Sequence, residues 1–429
     1  MNPVSPNAQA ILLLTAPLLI GRGSASADLL TLGEYNRLAR TLREKQKQPA
    51  DLIGPEAEEV LGGCAPVFGR PRLESLLGRG FLLSQAVERW QTHAIWVVSR
   101  ADASYPRRLK ARLKEDAPPV LYGCGDAGLL ETGGLAVVGS RHADAELIAF
   151  TEAVGRLAAE ARQTLISGGA RGIDRAAMAG ALSAGGHVAG VMADSLERAG
   201  VVPDHREPLM DGKLVLISPY DPAAGFHVGN AMQRNKVIYA LADAALVVSA
   251  DFQKGGTWEG AIEQLERLRF VPVFVRDEPR AGKGNAALLH RGGLSWPEPR
   301  SGDALVEAVQ RAVSVMAAEP KQETLSLALH EPAPSDRVQE RTPSTEDIPP
   351  SAPQPTAPRS PAAQLFEAVR GILVSELAEP RTEAQIAELL GVSNSQARAW
   401  LARLVEEGTI TGLKKPTRFQ TLRASDRLL

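Results

Sequence analysis

The stretch TLISGGARGIDRAAMAGAL, residues 164–182, decides the fold of this chain. It begins with a short apolar run, continues through a turn with three glycines and an arginine, and ends in an alanine-rich run of helical character. An unbroken apolar strand that leads directly into a helix is typical of a parallel sheet covered by helices on both faces. The turn itself, Ser167 to Asp174, has three interpretations: a phosphate cradle, a catalytic loop, or a plain strand-to-helix connection.

The same alternation continues on both sides of this stretch. Between Gly134 and about residue 275, short apolar runs that predict strands alternate with longer runs that predict helices. The strands are expected in LAVVG, TLISGG, HVAGVMA, KLVLISPY, AALVVSA and VPVFV. This pattern predicts an α/β domain with a doubly wound, mainly parallel, Rossmann-like sheet. The ligand crevice of such a domain lies beyond the carboxyl ends of the strands.

Composition and periodicity divide the 429 residues into four segments. Helical spacing with glycine breaks predicts a small helical (SAM-like) domain over residues 1–92, and the Rossmann-like domain follows over residues 93–316. Residues 317–361 are rich in proline, serine and charge, which predicts a disordered linker. Residues 362–429 predict three helices, with Thr382 as an N-cap, and a β-hairpin, which together make a winged helix-turn-helix domain.

Bulk composition argues against several classes of protein. The net charge of −2 argues against a uniformly basic nucleic-acid coat, and the 4% of aromatic residues argues against binding that depends mainly on base stacking. The two cysteines form no CxxC pair and the histidines form no ligand cluster, so neither a metal nor another cofactor is expected. The apolar N-terminal run AILLLTAPLLIGRGSASA lacks a preceding Lys or Arg and is interrupted by proline. It therefore favours a buried helix over a signal peptide and predicts a cytoplasmic protein.

Three glycine-containing turns follow predicted strands and precede predicted helices. They should meet at one edge of the sheet, where glycine lets a backbone approach an anion and each helix N-terminus presents free N–H groups. Each turn alone is also explained by the geometry of a strand-to-helix connection. Together they predict a shared phosphate site, formed by Gly139, Ser140 and Arg141, by Ser167, Gly168, Gly169, Arg171 and Gly172, and by Gly255, Gly256 and Thr257.

Two further features bear on this site. The run QRNKVIYALAD places Arg234, Asn235 and Lys236 at the start of a predicted helix, where an amide and two cations can hold a phosphate; a solvated helix face is the alternative. Asp174 is expected to cap the helix that follows it, with contact to a ribose hydroxyl as the alternative. The GxGxxG pattern in residues 123–128 is rejected as a dinucleotide fingerprint, because too few residues separate it from the next strand for a crossover helix.

Basic residues in the C-terminal segment are candidates for DNA contact. A winged helix places its third helix in the major groove and its wing on phosphate. The alternative is a protein-docking or dimerising module, since a fold does not fix a function. The candidates are Arg398 and Arg403 on the third predicted helix, and Lys414, Lys415 and Arg418 on the hairpin.

The chain resembles the DprA/Smf family of DNA-processing proteins over most of its length. The most specific matches are VVGSR, SGGARGIDRAAMAGAL and QRNKVIYALADAALVVSA, where the family usually reads GSR, SG-x-A-x-GID-x-x-AH-x-x-AL and an RN-centred basic run. The resemblance implies a non-enzymatic protein that binds and protects incoming single-stranded DNA, forms a homodimer and loads the RecA recombinase in natural transformation. It also implies that the first two glycine turns and Arg234, Asn235 and Lys236 hold the DNA.

Two departures from the family pattern leave other functions open. The family's AH after GID is Ala177-Met178 here, and the last glycine loop reads KGGTWEGA rather than S-G-S-L-x-T-A. That loop is similar to the PGG-x-GT-x-x-E loop of the lysine-decarboxylase-like (Lonely guy) proteins, although Glu259 stands two residues after Thr257 rather than three. The alternatives are therefore a nucleotide N-glycoside hydrolase, with Glu259 or Asp251 as the acid/base, and a small-nucleotide sensor.

Overall fold

The computed structural model describes residues 4–19, 28–278 and 282–318, together with separate positions between Arg370 and Thr421. The chain divides into two compact units, Met1–Ser326 and Leu327–Leu429. Within the described ranges, no helix combines the length and the apolar character that a bilayer crossing requires.

Within residues 4–19 and 28–92, five α-helices precede the sheet, as the helical spacing predicts. They are α1 (Pro6–Thr15), α2 (Leu32–Glu44), α3 (Ala57–Phe68), α4 (Arg70–Leu77) and α5 (Gly80–Thr92). Helix α1 is formed by the apolar N-terminal run, and Ile11, Leu12 and Leu14 within it are fully buried. The prediction of a buried helix for this run is therefore confirmed.

A nine-stranded sheet forms the centre of the first unit. Its strands are β1 (Trp96–Ser99), β2 (Val120–Gly125), β3 (Leu135–Gly139), β4 (Leu165–Ser167), β5 (Val188–Val191), β6 (Leu214–Ser218), β7 (Ala244–Ser249), β8 (Val273–Val275) and β9 (Leu294–Ser295). Their order across the sheet is β1-β2-β6-β5-β4-β3-β7-β8-β9. The strands from β3 to β9 pair in parallel, whereas β2 pairs antiparallel with both β1 and β6.

Helices cover both faces of this sheet. They are α6 (Arg107–Leu113), α7 (Ala145–Glu160), α8 (Ile173–Ser183), α9 (Leu196–Gly200), α10 (Pro203–Met210), α11 (Val228–Leu241), α12 (Gly255–Glu263), α13 (Gly282–His290) and α14 (Gly302–Ala318). One face packs against α7, α8 and α14, and the other packs against α6, α11 and α12. The doubly wound, mainly parallel fold class is confirmed. No crossover helix separates β2 from β3, so the rejection of the GxGxxG pattern is also confirmed.

The winding changes direction between β3 and β7. These two strands are direct neighbours, with Leu135 opposite Ala244 and Gly139 opposite Ser249. Helix α7 leads from β3 to β4 on one side, whereas α12 leads from β7 to β8 on the other side. The connections therefore diverge at the carboxyl ends of β3 and β7, and a crevice is left between them.

The N-terminal helices pack directly on the sheet and share its hydrophobic core. The ring of Trp90 on α5 meets the ring of Tyr122 on β2 edge to face, with 5.1 Å between the centroids. Asn36 on α2 donates a 2.9 Å hydrogen bond to the carbonyl of Glu115, ahead of β2. The proposed division of the chain at residue 92 stays a prediction.

The second unit is described only in part. Strands β10 (Ile410–Leu413) and β11 (Arg418–Thr421) pair antiparallel, so the predicted hairpin is confirmed. The Thr382 hydroxyl accepts a 3.4 Å hydrogen bond from the Gln385 backbone N–H, and the Gln385 side chain accepts one of 2.9 Å from the Thr382 N–H. These bonds make Thr382 the expected N-cap.

The complete winged helix stays a prediction, because most of its helical residues lie outside the described part of the chain. The same holds for four of the five proposed contact residues, Arg398, Arg403, Lys414 and Lys415. Arg418 is the first residue of β11.

Candidate anion-binding groove

A groove of about 480 Å³ lies at the carboxyl ends of β3 and β7, where the winding changes direction. Its walls come from the turn after β3, the loop between β7 and α12 with the first turn of α12, the segment before α11, and α11 itself. The loop between β4 and α8 adds Ala170, and the first turn of α8 adds Asp174. The structure therefore brings parts of all three glycine turns and of the RN-centred run to one place.

Hydrogen bonds fasten the turn after β3 to the end of β7 and to α12. The Ser140 backbone N–H donates to the Ser249 hydroxyl at 3.2 Å, and the Ser140 hydroxyl accepts from the His142 N–H at 3.1 Å. The Thr257 hydroxyl donates to the Gly139 carbonyl at 2.9 Å. These bonds fix the first and third turns relative to each other, and Arg141 stands exposed at their edge.

The first turn of α12 presents free backbone N–H groups to the groove. The residue before the helix is Lys254, and no side chain among the described residues caps the helix N-terminus. Gly255 has a φ of +84° and is exposed, as is Gly256. Uncapped N–H groups and the helix dipole attract anions, and the glycines leave the approach to them open.

Arg234 forms the buried floor of the groove. It stands on α11, is only 5% exposed, and its Nη1 donates a 2.9 Å hydrogen bond to the Val191 carbonyl. Its Nε has no hydrogen-bond partner within the described part of the chain. The guanidinium fills the space that a side chain at position 168 would need, so Gly168 is required for this close approach.

Asp174 lies near Arg234, since its carboxylate and the guanidinium both approach the space that a side chain at position 168 would occupy. Burial raises the pKa of the Asp174 carboxyl, and the positive charge of Arg234 partly offsets this rise. Burial likewise lowers the pKa of Arg234, and Asp174 opposes that change. The expected capping role of Asp174 is wrong: Gly172 occupies the N-cap position of α8, and Asp174 is the second residue of the helix. The backbone N–H groups of Ala170, Gly139 and Gly168 favour its charged form and so also lower the pKa of this carboxyl.

The residues of the RN-centred run point in different directions. Helix α11 begins at Val228, so Arg234, Asn235 and Lys236 stand in its middle and not at its start. Asn235 lines the groove and donates a 2.9 Å hydrogen bond to the Gly256 carbonyl. Lys236 lies outside the groove lining and forms an ion pair with Glu263 at 3.5 Å. Successive helical residues are rotated by about 100°, so three in a row cannot face one groove.

The second glycine turn supports the groove more than it lines it. The Ser167 hydroxyl is buried and donates to the Val137 carbonyl at 2.6 Å. Gly169 and Gly172 have φ angles of +66° and +83°, which the turn requires. Arg171 is exposed, outside the groove lining, and makes no hydrogen bond or ion pair with any described residue.

Sequence reasoning missed several residues of the groove. Lys254 adds a cation, and an apolar strip is formed by Phe226, Val228 and Met232. The Arg141 guanidinium lies over the Phe226 ring, 5.0 Å from its centroid. The one available signal was the placement of Phe226 in a polar, glycine-containing loop, where a large apolar side chain has no core to enter.

The formal charges around the groove balance. Arg141, Arg234 and Lys254 contribute three cations. Asp174, Asp251 and Glu259 contribute three carboxylates. Anion binding here must therefore depend on where the donors stand and not on a net positive field.

Comparisons with known proteins agree on one family. The family model described as DNA recombination-mediator protein A matches residues 96–296, which include the whole groove. The chain is 31% identical over 261 residues to the putative DNA processing protein DprA of Mycobacterium tuberculosis H37Rv, and the match covers 54% of this chain and 64% of that protein. It thus spans less than two thirds of that relative. It is 27% identical over 227 residues to the DNA processing protein DprA of Streptococcus pneumoniae R6, covering 52% of this chain and 79% of that protein.

A solved structure supports the fold. The X-ray structure of DNA processing protein A (DprA) from Streptococcus pneumoniae superposes with a TM-score of 0.50 at 20% identity. The superposition covers 65% of this chain and 98% of that one.

Proposed function

The α/β domain of this chain belongs to the DprA/Smf family of DNA-processing proteins, and from this premise we propose that its groove binds single-stranded DNA by the phosphate backbone. The observation that carries the proposal is the uncapped first turn of α12, which lines the groove together with Arg141 and Lys254. Backbone N–H groups, an arginine and a lysine are the usual donors to phosphate oxygens. Such contacts carry no base information, so binding is largely independent of sequence.

The balanced charge of the groove shapes the expected affinity. Asp251 and Glu259 are exposed beside the phosphate-binding donors and repel a polyanion that is wrongly placed. A strand therefore gains attraction only where its phosphates reach Arg141, Lys254 and the α12 N-terminus. We expect binding that weakens steeply as salt rises, because counterions are released from each phosphate that is neutralised.

Replacement of Arg141 by alanine tests the proposal. Removal of one phosphate contact should weaken oligo(dT) binding and reduce the magnitude of the salt slope, d log K/d log[salt], by about 0.7, the value for one contact on a single strand. The measurement is fluorescence anisotropy with labelled oligo(dT) at several salt concentrations.

Arg206→Ala is the matched control. Arg206 is exposed on α10 and lies outside the groove lining, so its loss removes the same charge without the contact. Affinity and salt slope should stay at the wild-type values. If Arg141→Ala and Arg206→Ala behave alike, the groove is not the DNA site.

We further propose that the chain hands its DNA to a RecA-type recombinase and acts as a homodimer in natural transformation or another recombination pathway. The description of the matching family as a recombination mediator supports this role. The test is RecA filament assembly on single strands coated with single-strand-binding protein, with and without the chain. Sedimentation velocity measures the oligomeric state. Unchanged filament assembly would count against the recombinase role.

A second candidate function is action on, or sensing of, a single nucleotide. The groove volume of about 480 Å³ suits a small ligand, and both proposed acid/base residues, Asp251 and Glu259, line it. Free base released from nucleoside monophosphates, and lost in Glu259→Gln, would support a hydrolase. Thermal stabilisation by mononucleotides but not by oligonucleotides, without release of base, would support a sensor.

A further inference from the structure

Two short segments of the chain carry a local excess of cations. Residues 37–47, in and after α2, and residues 107–116, in and after α6, together contain ten of the 48 basic residues and three of the 50 acidic residues. The whole chain has a net charge of −2, so its average conceals this excess. A local concentration of one sign of charge attracts partners of the opposite sign.

The fold brings these two segments together around Glu115. The Arg40 side chain of α2 lies 3.7 Å from the Glu115 carboxylate. The Arg100 guanidinium donates a 3.0 Å hydrogen bond to the Glu115 carbonyl, and the Arg100 carbonyl in turn accepts one of 3.2 Å from the Lys110 ammonium of α6. Helices α2 and α6 therefore contribute cations to one surface.

Part of this positive charge is used by the fold, and part stays exposed. Arg108 pairs with Asp243 at 2.8 Å, and Arg112 donates a 3.0 Å hydrogen bond to the Ala240 carbonyl. The ion pair of Arg40 described above is exposed on both sides, so it holds that arginine only weakly. Four exposed cations of this surface form the basic cluster: Arg40, Arg43, Lys110 and Lys114.

The basic cluster lies at the same edge of the sheet as the groove. Strand β6, which runs parallel to β3, ends at Ser218, and Ser218 pairs with Tyr122 of the antiparallel β2. Two residues earlier in β2, Val120 pairs with Ser99, the last residue of β1. The start of β2, and with it the surroundings of Glu115, therefore lies where β3 and β7 end. Adjacent strands are about 4.8 Å apart, so roughly 20 Å separate β2 from the groove.

A second cavity, of about 280 Å³, lies between the groove and the basic cluster. Helix α11 contributes Val228 to the lining of the groove and Asn230 to that of the cavity, so one helix turn separates the two. On its other side the cavity is lined by Leu32, the first residue of α2. Arg40 and Arg43 stand eight and eleven residues further on, so they lie on the face of α2 that begins at Leu32.

The second cavity offers a path of low charge. Asp221 is the carboxylate among its described lining residues, and it is only 4% exposed. The Asp221 side chain accepts hydrogen bonds from the backbone N–H groups of Leu19 at 3.1 Å and Ala223 at 3.0 Å. A polyanion that crosses the cavity therefore meets no exposed carboxylate among these lining residues.

The composition of the basic cluster favours a nucleic-acid backbone over a protein as its partner. Protein interfaces are built around an apolar core and are depleted in lysine. Phosphate oxygens, in contrast, are the usual partners of exposed Lys and Arg in nucleic-acid complexes. The groove at the same edge supplies the strand, so this argument rests on the proposed function.

We propose that a single strand bound in the groove continues along this edge of the sheet, across the second cavity, and that the basic cluster holds its phosphates. The N-terminal helices are then part of the DNA-binding surface and not only a cover for the sheet. Because the basic cluster contacts phosphates, it adds affinity for long strands without a preference for sequence.

The test is a series of labelled oligo(dT) strands from about 4 to about 20 nucleotides, a range that brackets common single-strand sites. The double variant Arg40→Ala/Arg43→Ala should bind the shortest strands like the wild type. On the longest strands its affinity should fall, and the magnitude of its salt slope should decrease by about 1.4, the value for two phosphate contacts on a single strand. Fluorescence anisotropy at several salt concentrations measures both quantities, and an unchanged thermal midpoint shows that the variant is folded.

The double variant Arg162→Ala/Arg206→Ala is the matched control. Arg162 precedes β4 and Arg206 stands on α10, and both are exposed and line neither the groove nor the second cavity. The control removes the same charge and should bind strands of every length like the wild type. Equal losses in the two double variants would assign the effect to net charge and overturn the proposal.

The remaining outcomes separate this inference from the proposed function. If Arg141→Ala weakens binding at every length while Arg40→Ala/Arg43→Ala weakens it at none, the groove binds DNA and the inference fails. A loss of equal size on short and long strands would also overturn it, since the basic cluster would not extend the site. Unchanged DNA binding with reduced RecA filament assembly would overturn it in favour of a protein partner. If the wild-type chain binds no oligo(dT) of any length, the proposed function fails first and the inference fails with it.

Discussion

Glu34 joins two helices of the N-terminal region through one carboxylate. It completes a capping box with Thr31 at the start of α2, and it receives two hydrogen bonds from Arg72 of α4, at 2.7 and 3.2 Å. The hydrogen bonds from Arg72, followed by the backbone bond from Thr31, lower the pKa of Glu34 from 4.5 to about 2. The charged carboxylate is thus favoured by the folded state.

The lowered pKa of Glu34 predicts a pH-dependent stability. Because the folded-state pKa is below the unfolded value, the contribution of Glu34 is complete above about pH 4.5 and is lost as the pH falls towards 2. We expect Glu34→Gln to lower the free energy of unfolding by about 1 to 2 kcal/mol at pH 7, and by clearly less at pH 3. Urea unfolding at both pH values measures this difference. Glu88→Gln, at an exposed position on α5, is the control and should change the free energy of unfolding little at either pH. An equal loss of stability from Glu34→Gln at pH 7 and at pH 3 would contradict the lowered pKa of Glu34.

For single residues, the sequence predicted which residues belong to the groove region better than it predicted what their side chains contact. It named Gly168 and Arg234 separately, but it could not show that the guanidinium occupies the space of a side chain at position 168. Such a contact depends on how α11 crosses the ends of β4 and β5, and no local pattern encodes it. The same is true of Asp174, which faces a buried cation instead of capping its helix.

At the element scale, helices α7 and α8 approach each other backbone to backbone. A side chain at Gly155 of α7 would collide with the carbonyl of Ala177, and one at Gly180 of α8 would collide with the carbonyl of Glu152. Helix α7 follows the first glycine turn and α8 follows the second. Their close contact therefore helps to align the two turns at the sheet edge.

Alanine substitutions at two helical glycines separate packing from helix propensity. Gly155→Ala should destabilise the fold by about 1 to 3 kcal/mol, because overpacking exceeds the gain in helix propensity. A Cβ at Gly62 of α3 would meet no described atom within 4 Å beyond the backbone of its own helix, so Gly62→Ala should instead stabilise by about 0.5 to 1 kcal/mol. The measurement is the urea midpoint at unchanged m value. Stabilisation by both substitutions would refute the close approach of α7 and α8.

The elements themselves were largely predictable from periodicity. Each apolar run expected to form a strand from LAVVG onward corresponds to one of the strands β3 to β8, because buried parallel strands carry a strong local signal. The rotation of α11 was not predictable. Only the helix start at Val228 shows that Arg234 and Asn235 reach the groove while Lys236 turns to Glu263.

For the whole molecule, net charge and aromatic content did not predict the groove. A net charge of −2 and 4% aromatic residues argued against electrostatic coating and base stacking. Local placement nevertheless sets three cations, an open helix N-terminus and Phe226 around one crevice. Averages over 429 residues cannot report an arrangement that involves about twenty of them.

Deletion of residues 362–429 tests whether the groove binds DNA without the C-terminal segment. The groove lies wholly within the first compact unit, Met1–Ser326. The shortened chain keeps every residue that lines the groove. It should therefore bind a short oligo(dT) within about two-fold of the full chain, since a distant segment that shares no partner with the groove acts independently of it. Anisotropy titrations of both proteins under one salt condition make the comparison. A much larger loss would assign part of the DNA contact to the predicted winged helix.

The neighbouring positions of β3 and β7 also set the order in which this chain becomes functional during synthesis. Strand β3 and its turn leave the ribosome early, but Ser249 and Thr257, which fasten that turn, belong to segments made after β4, β5 and β6. Until β7 emerges, β3 lacks its neighbour on one side and the crevice has a single wall. A nascent or prematurely ended chain therefore carries the glycine turns without a working groove. If the groove binds DNA as proposed, it can do so only after translation has passed the first turn of α12.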